Sequence, residues 1–273
     1  MVSVFFVLLA LACGAAVSRA LRLPLNVAPL AGLAGMAVLT TLCARLGAPP
    51  LLSSGLIVVS AIVGVSGAVL SARRADKAEV AKNARAWRVP LLVLAVAAAI
   101  PALMLASAFA GIEAPVSTHD GAFHVEAIDS LRRGVPLETW YPVGFHATVA
   151  AVLGLMPWLD TARGTSEIGM ALAVLGPLAV FSLGLALGLD ALASAMAAAI
   201  LAVTFIYPYD YHLWGGWPQG MGVLLVLGLL VAAVRWTERP TPGWAVLGGA
   251  FAGADRATRT GPPQQRRQVG CGA

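Results

Sequence analysis

Three of the chain's four histidines, His119, His124 and His146, fall in one stretch, Ser117 to His146 (STHDGAFHVEAIDSLRRGVPLETWYPVGFH). Asp120, Glu126, Asp129 and Glu138 stand among them. Imidazoles and carboxylates are the side chains that most often take and give protons in catalysis. Asp120 and His124 are four residues apart, so on a helix they share one face. Glu126, Asp129 and Arg133 recur at three- and four-residue steps and read as a self-paired, solvated ridge. The fourth histidine, His212, sits in an aromatic, glycine-bearing stretch, YPYDYHLWGGWPQG, from Tyr207 to Gly220. The chain as a whole is 59% hydrophobic and 11% charged, so titratable groups gathered this densely mark the working site.

The elements that must hold these residues are membrane helices. Mean hydropathy is +0.84, and apolar runs of about 18–22 residues recur along the chain. Backbone groups in a bilayer must be paired within their own segment, so the runs read as helices. The fold class expected is an all-α polytopic transmembrane bundle of about 7–8 membrane helices. Spans are expected from about Val2 to Ser18, Val27 to Ala44, Leu51 to Leu70 and Val89 to Ala110. Later ones run from about Ile168 to Leu189, Ala191 to Ile206 and Met221 to Val234. The transmembrane domain covers residues 1–253, with an external site loop at 112–141, a juxtamembrane helix at 142–159 and a second external loop at 207–219. In the site loop a surface helix begins near Ser117 or Thr118, both good N-caps, and stops at Gly134 ahead of Pro136. A second helix starts at Pro142, a favoured first-turn residue. The apolar run from Trp244 to Ala254 is too short to cross, and residues 254–273 read as a disordered or out-of-frame tail.

Charge sets the orientation. The net charge is +5, but the basic residues fall in membrane loops and form no nucleic-acid stripe. Six of the 18 Lys and Arg lie in Arg73 to Arg88, which the positive-inside rule reads as a cytoplasmic loop. Ser117–Glu138 then faces outward. Pro142–Leu159 is marginal in length and either spans or dips in and returns. The second option puts Tyr207–Gln219 beside the site loop and Arg235 and Arg239 inside, in keeping with the same rule, and is preferred. Cys13, Cys43 and Cys271 have no metal or disulfide spacing and read as plain thiols.

The segments THDGAFHVEAI (118–128), YPVGFH (141–146) and LWGGWPQG (213–220) resemble the GT-C class of membrane glycosyltransferases across roughly residues 89–240. That class uses polyprenyl-phosphate-linked sugars on the external face, with an acidic residue on a surface helix of the first large external loop. The resemblance implies Asp120 as catalytic base. His119, His124 and His146 would donate to phosphate, or His124 would help Asp120 hold a divalent cation, Mg or Mn. Arg132 and Arg133 would meet the lipid phosphate, and Trp214 and Trp217 would stack on sugar. Tyr141, His212 and Gln219 complete the implied substrate-binding set. The expected partners are membrane lipids and a polyprenyl-phosphate-linked sugar, and the expected location is the cell membrane. A transporter, a non-catalytic membrane subunit and a truncated remnant are the alternatives. Charges at the bilayer midplane would favour the transporter.

Overall fold

The computed structural model describes residues 1–74, 77–108, 119–135, 137, 143–204 and 209–259, with backbone alone for 77–83, 119 and 256–259. The described chain is an all-α polytopic bundle. Six of its helices are long and apolar enough to cross a membrane. They are α1 (Val2–Ala20), α2 (Ala28–Arg45), α3 (Pro50–Arg74), the 84–108 part of α4 (Lys77–Ala108), α7 (Thr161–Ala186) and α10 (Trp217–Glu238). Between and after them lie α5 (His119–Arg132), α6 (Val143–Gly154), α8 (Ala191–Ala202), the single turn α9 (Tyr211–Leu213) and α11 (Pro242–Arg259).

The helix pattern differs from expectation in four places. The described residues of Arg73–Arg88 are helical, where the interleaved charges alone allow a short surface helix. α3 runs to Arg74, and α4 starts at Lys77 and continues through Pro90 and Pro101 to Ala108. The segment KAEVAKNARAW is made mostly of strong helix formers, so the membrane helix extends into it. The run expected from Ala191 to Ile206 gives only the 12-residue α8, about 18 Å long against a hydrocarbon core of about 30 Å. α7 starts at Thr161 rather than Ile168, because the Asp160 carboxylate accepts the Arg163 N–H and caps it. Finally, α11 carries the helix past Ala254 to Arg259, so the first six residues of the expected tail are helical. Residues 260–273, Cys271 among them, lie outside the described residues.

Small residues let the first three helices touch backbone to backbone. A Cβ on Gly14 would sit 1.7 Å from the Ala28 carbonyl oxygen, and one on Gly32 or Gly64 would sit 1.8 Å from the carbonyl of Ala10 or Ala12. Water drives no such contact inside a bilayer. Dispersion between closely approached backbones does, which is why small residues collect at membrane helix crossings. α1, α2, α7 and α10 form the centre. α3 and α4 flank it and turn mostly lipid-compatible faces outward, with Val59, Ile62, Leu92 and Leu103 exposed.

Polar contacts at the helix ends settle which segments share a side. At one end Arg19 donates to Ser71 Oγ, Ser182 Oγ donates to the Asn26 carbonyl, and Arg235 Nη2 donates to the Leu185 carbonyl. This is the basic end, and Arg22, Arg73 and Arg74 belong to it. At the other end Val2 N–H donates to Glu167 Oε2, Thr40 and Thr148 share a hydrogen bond, and Ser54 Oγ donates to the Ala151 carbonyl. α5, α6 and α9 sit at this second end, called here the site end. The 12-residue α6, Val143–Gly154, begins and ends there, so among the described residues it does not run from one end of the bundle to the other.

Candidate functional site

α5 lies at the site end with one face buried. Ala127 and Ile128 pack into the core, while Asp120 and Glu126 are exposed. Its end follows the sequence. Gly134 takes φ +77°, and the Val135 N–H donates to the Ser130 carbonyl five residues back, closing a Schellman turn. Ser117, Thr118, Tyr141 and Pro142 fall outside the described residues, and His119 is seen only as the opening backbone of α5.

The other three histidines come together. His124 Nδ1 and His146 Nε2 are 3.0 Å apart, joining α5 to α6, and both rings are 1% exposed. Phe123, Phe145 and Trp217 surround His124 with ring centroids 5.9–6.2 Å away. On the far side of Trp217 lies His212, whose Nδ1 accepts the indole N–H at 3.2 Å and whose Nε2 is 3.5 Å from Ser166 Oγ. An indole nitrogen can only donate, so His212 Nδ1 must be an acceptor and the ring's proton sits on Nε2, directed at Ser166. The histidines are therefore a buried row, Ser166–His212–Trp217–His124–His146, linking α7, α9, α10, α5 and α6. Burial pushes the His124 and His212 imidazoles down from 6.5 to about 4, because a charged ring would lose its hydration there. Both are neutral at neutral pH.

Burial changes the roles expected of several residues. Trp217 is 2% exposed and lies against Gly169 of α7, where a Cβ would come within 2.5 Å of the ring. Neither face is open for a sugar. Arg132 is committed as well. Its Nη1 donates to the Leu159 carbonyl at 3.1 Å and to Thr161 Oγ1 at 2.7 Å, and Nη2 donates to the Pro157 carbonyl. It ties α5 to the α6–α7 connection rather than to a lipid phosphate. Arg133 pairs with Asp129 at 3.0 Å on the surface, as the ridge reading expected, and Glu126 stands exposed beside them. Trp214 is half-buried over Gly216 and donates to Asp210 Oδ2 at 3.3 Å, and Gln219 is exposed on the first turn of α10.

His124 and Asp120 do not fit a Mg or Mn site. These hard cations take oxygen ligands, whereas His124 is enclosed by rings and shares its Nδ1 with His146. Among the described residues no three His, Cys, Asp or Glu side chains converge as a metal set.

Reading the sequence alone passed over Ser166, Gly169 and the Thr40–Thr148 pair. The signal for the first two was present in DTARGTSEIG (160–169). Its Asp cap three residues before Arg163 starts α7 early and puts Ser166 and Gly169 on a helix facing the aromatic stretch. It also passed over a cavity of about 280 Å³ between the α2–α3 connection, the end of α5 and α6.

No curated protein and no solved structure matches the chain. Residues 7–254, which include every described site residue named above, match a family of unknown function, DUF6541, and the chain belongs to that family.

Proposed function

We propose that this protein is a GT-C-like membrane glycosyltransferase. In this reading Asp120 takes the proton from an acceptor hydroxyl as a sugar leaves a polyprenyl phosphate on the extracytoplasmic side. The observation that carries the reading is the setting of Asp120. It is exposed on the first turn of a short, non-spanning helix whose opposite face is anchored by the His124–His146 bond and by Arg132. A base that must meet a substrate at the bilayer edge needs such a mounting, open on one side and rigid on the other. The buried histidines then act as positioning residues for α5 and α9 and touch no substrate. Among the described residues the Arg133 side chain is held by one surface ion pair, worth about 0–1 kcal/mol, so it can turn to a phosphate. His119, Tyr141, Trp214 and Gln219 are the remaining candidates for sugar or phosphate contacts.

Orientation follows from charge. The end carrying Arg19, Arg22, Arg73, Arg74, Arg235 and Arg239 is assigned to the cytoplasm by the positive-inside rule, which turns the site end outward. The described Asp, Glu, Lys and Arg residues of the six spans lie within two turns of a span's end, which disfavours a permease with charges at the midplane.

The test is sugar transfer in proteoliposomes from a panel of radiolabelled polyprenyl-phosphate sugars. Asp120→Asn keeps shape and removes basicity, and is expected to lower the rate by about 10²–10⁴ at normal yield. Glu126→Gln, on the same helix, is expected to leave the rate unchanged. Equal damage from both changes, or more than about a tenth of the rate surviving in Asp120→Asn, would remove Asp120 as the base.

A further inference from the structure

The cavity of about 280 Å³ at the site end is separate from the histidine row. Burial divides it into a floor and a rim. Thr40, Ser53, Ala147 and Ala150 are buried and form the floor, while Gly47, Gly134 and Val135 are exposed and form the rim. Gly47 and Gly134 sit at φ +67° and +77°, each just past the end of a helix, so the C-termini of α2 and α5 meet at the opening.

The walls decide what class of ligand fits. Their hydrogen-bond donors are engaged. Thr40 and Thr148 have two hydroxyl protons for three contacts, to the Met36 carbonyl, to the Gly144 carbonyl and to each other. Ser53 gives its proton to the Pro50 carbonyl. The N–H groups of Gly47, Ala48, Gly134 and Val135 close the two turns onto the carbonyls of Ala44, Cys43, Leu131 and Ser130. What remains is acceptor capacity, because hydroxyl and carbonyl oxygens each carry two lone pairs. An anion would find no donors and would face the negative ends of two helices. A cation gains little, since Arg45 and Arg132 already stand in the last turns of the same two helices, and the described walls carry no charged side chain. A neutral molecule with hydroxyl groups supplies the missing donors. The methyl groups of Ala147 and Ala150 give it an apolar wall, which the C–H face of a hydroxylated ring can cover. The volume lies just under the range of about 300–1,000 Å³ usual for ligand pockets, so a single ring fits.

We infer that this cavity binds a neutral polyol the size of one hexose ring, whose hydroxyls donate to the spare lone pairs of Thr40, Ser53 and the helix-end carbonyls. The inference does not rest on the glycosyltransferase reading, since it requires only the cavity and its unmatched acceptors. The cavity meets α5 at Leu131, eleven residues from Asp120, or about 17 Å along the helix, so a ring held here is not one that reacts there.

The experiment uses the full chain in phosphatidylcholine nanodiscs, because glucoside and maltoside detergents would compete for the cavity. Cys13, Cys43 and Cys271 are replaced, and Ala48→Cys reports occupancy through its rate of reaction with methyl methanethiosulfonate. Glucose or myo-inositol is expected to slow that reaction about fivefold at about four times its dissociation constant, as occupancy of one site requires. Cyclohexylammonium and cyclohexanecarboxylate, rings of the same size with a charge in place of the hydroxyls, are expected to leave the rate unchanged. Thr40→Val removes one acceptor and should weaken protection about fivefold, while Thr237→Val at the basic end should not. Ala150→Leu fills the floor and should abolish protection in protein that stays monodisperse. A second set of nanodiscs contains monoglucosyldiacylglycerol. Protection there, without protection by the free rings, would assign the polyol to a lipid headgroup rather than a soluble molecule. The inference is overturned if neither the free rings nor the glycolipid protects, or if either charged ring protects equally well. It is also overturned if monodisperse Ala150→Leu remains protected, or if Thr237→Val weakens protection as much as Thr40→Val.

Discussion

Acid should loosen this bundle through His212, and the amount can be worked out from its setting. The ring is 3% exposed, and its Nδ1 faces the Trp217 indole N–H at 3.2 Å. A second proton on the ring would set two donors against each other and place a charge where no water reaches. The folded imidazole therefore resists protonation down to about 4, whereas in the unfolded chain it takes a proton near 6.5. The sign follows: the unfolded state binds the extra proton first, so this contribution is complete above pH 6.5 and is lost as the pH falls towards 4. At pH 5 the loss is about 2 kcal/mol for His212. His124, lowered to about the same value by burial, adds a similar amount. Stability is measured by SDS titration of the detergent-solubilised protein at a series of pH values. The unaltered protein should lose about 4 kcal/mol between pH 7.5 and pH 5, and His212→Gln, which keeps an acceptor for the indole but does not titrate, about half of that. A flat profile, or an identical slope in His212→Gln, would refute the argument that His212 is a neutral acceptor to Trp217.

Other perturbations follow from contacts already described. Gly14→Ala would push a methyl into the Ala28 carbonyl and force α1 and α2 apart, so folded yield in detergent should collapse. Gly55→Ala meets nothing within 4 Å and should be neutral or slightly stabilising. Arg132→Lys loses the fork that reaches three oxygens at once, and amide exchange in α5 should rise several-fold while α1 and α2 stay protected. With Cys13, Cys43 and Cys271 replaced, single cysteines at Gly134 and Leu213 should both react with an impermeant thiol reagent in intact cells, and one at Arg239 should not. Reaction at Gly134 without Leu213 would contradict the shared site end.

The class of fold was readable because a bilayer allows so few answers. An 18-residue apolar run such as Ala28–Arg45 has to be a helix whatever its neighbours do, since no water is present to satisfy its backbone. The charge pattern favoured a dip over a span for Pro142–Leu159, because that path puts Arg235 and Arg239 on the side of Arg73 and Arg74. In the bundle Arg235 reaches Leu185, at the end where Ser182 meets Asn26 and Arg19 meets Ser71. Helix ends were legible where one local residue decides them, as at Gly134, and were missed where the signal is a gradual mixture of helix formers, as at Lys77–Ala84.

The roles of the polar residues were harder to read, and the reason is physical. A histidine in an apolar protein looks costly to bury, so the natural inference is that it faces water or a ligand. Two neutral imidazoles remove much of that cost together, because each nitrogen pair shares one proton, and an indole does the same for a third ring. Whether His124 meets His146, and His212 meets Trp217, depends on how α5, α6 and α10 cross, which no spacing along a single helix records. Asp120 and His124 illustrate the limit: four residues apart they share a face of α5, yet one is exposed and the other 1% exposed, because the helix slopes from the surface into the bundle within a single turn. The polar stretch thus divides its work. His124, His146 and Arg132 hold α5 against the bundle, while Asp120 and Glu126 stand exposed on its other face.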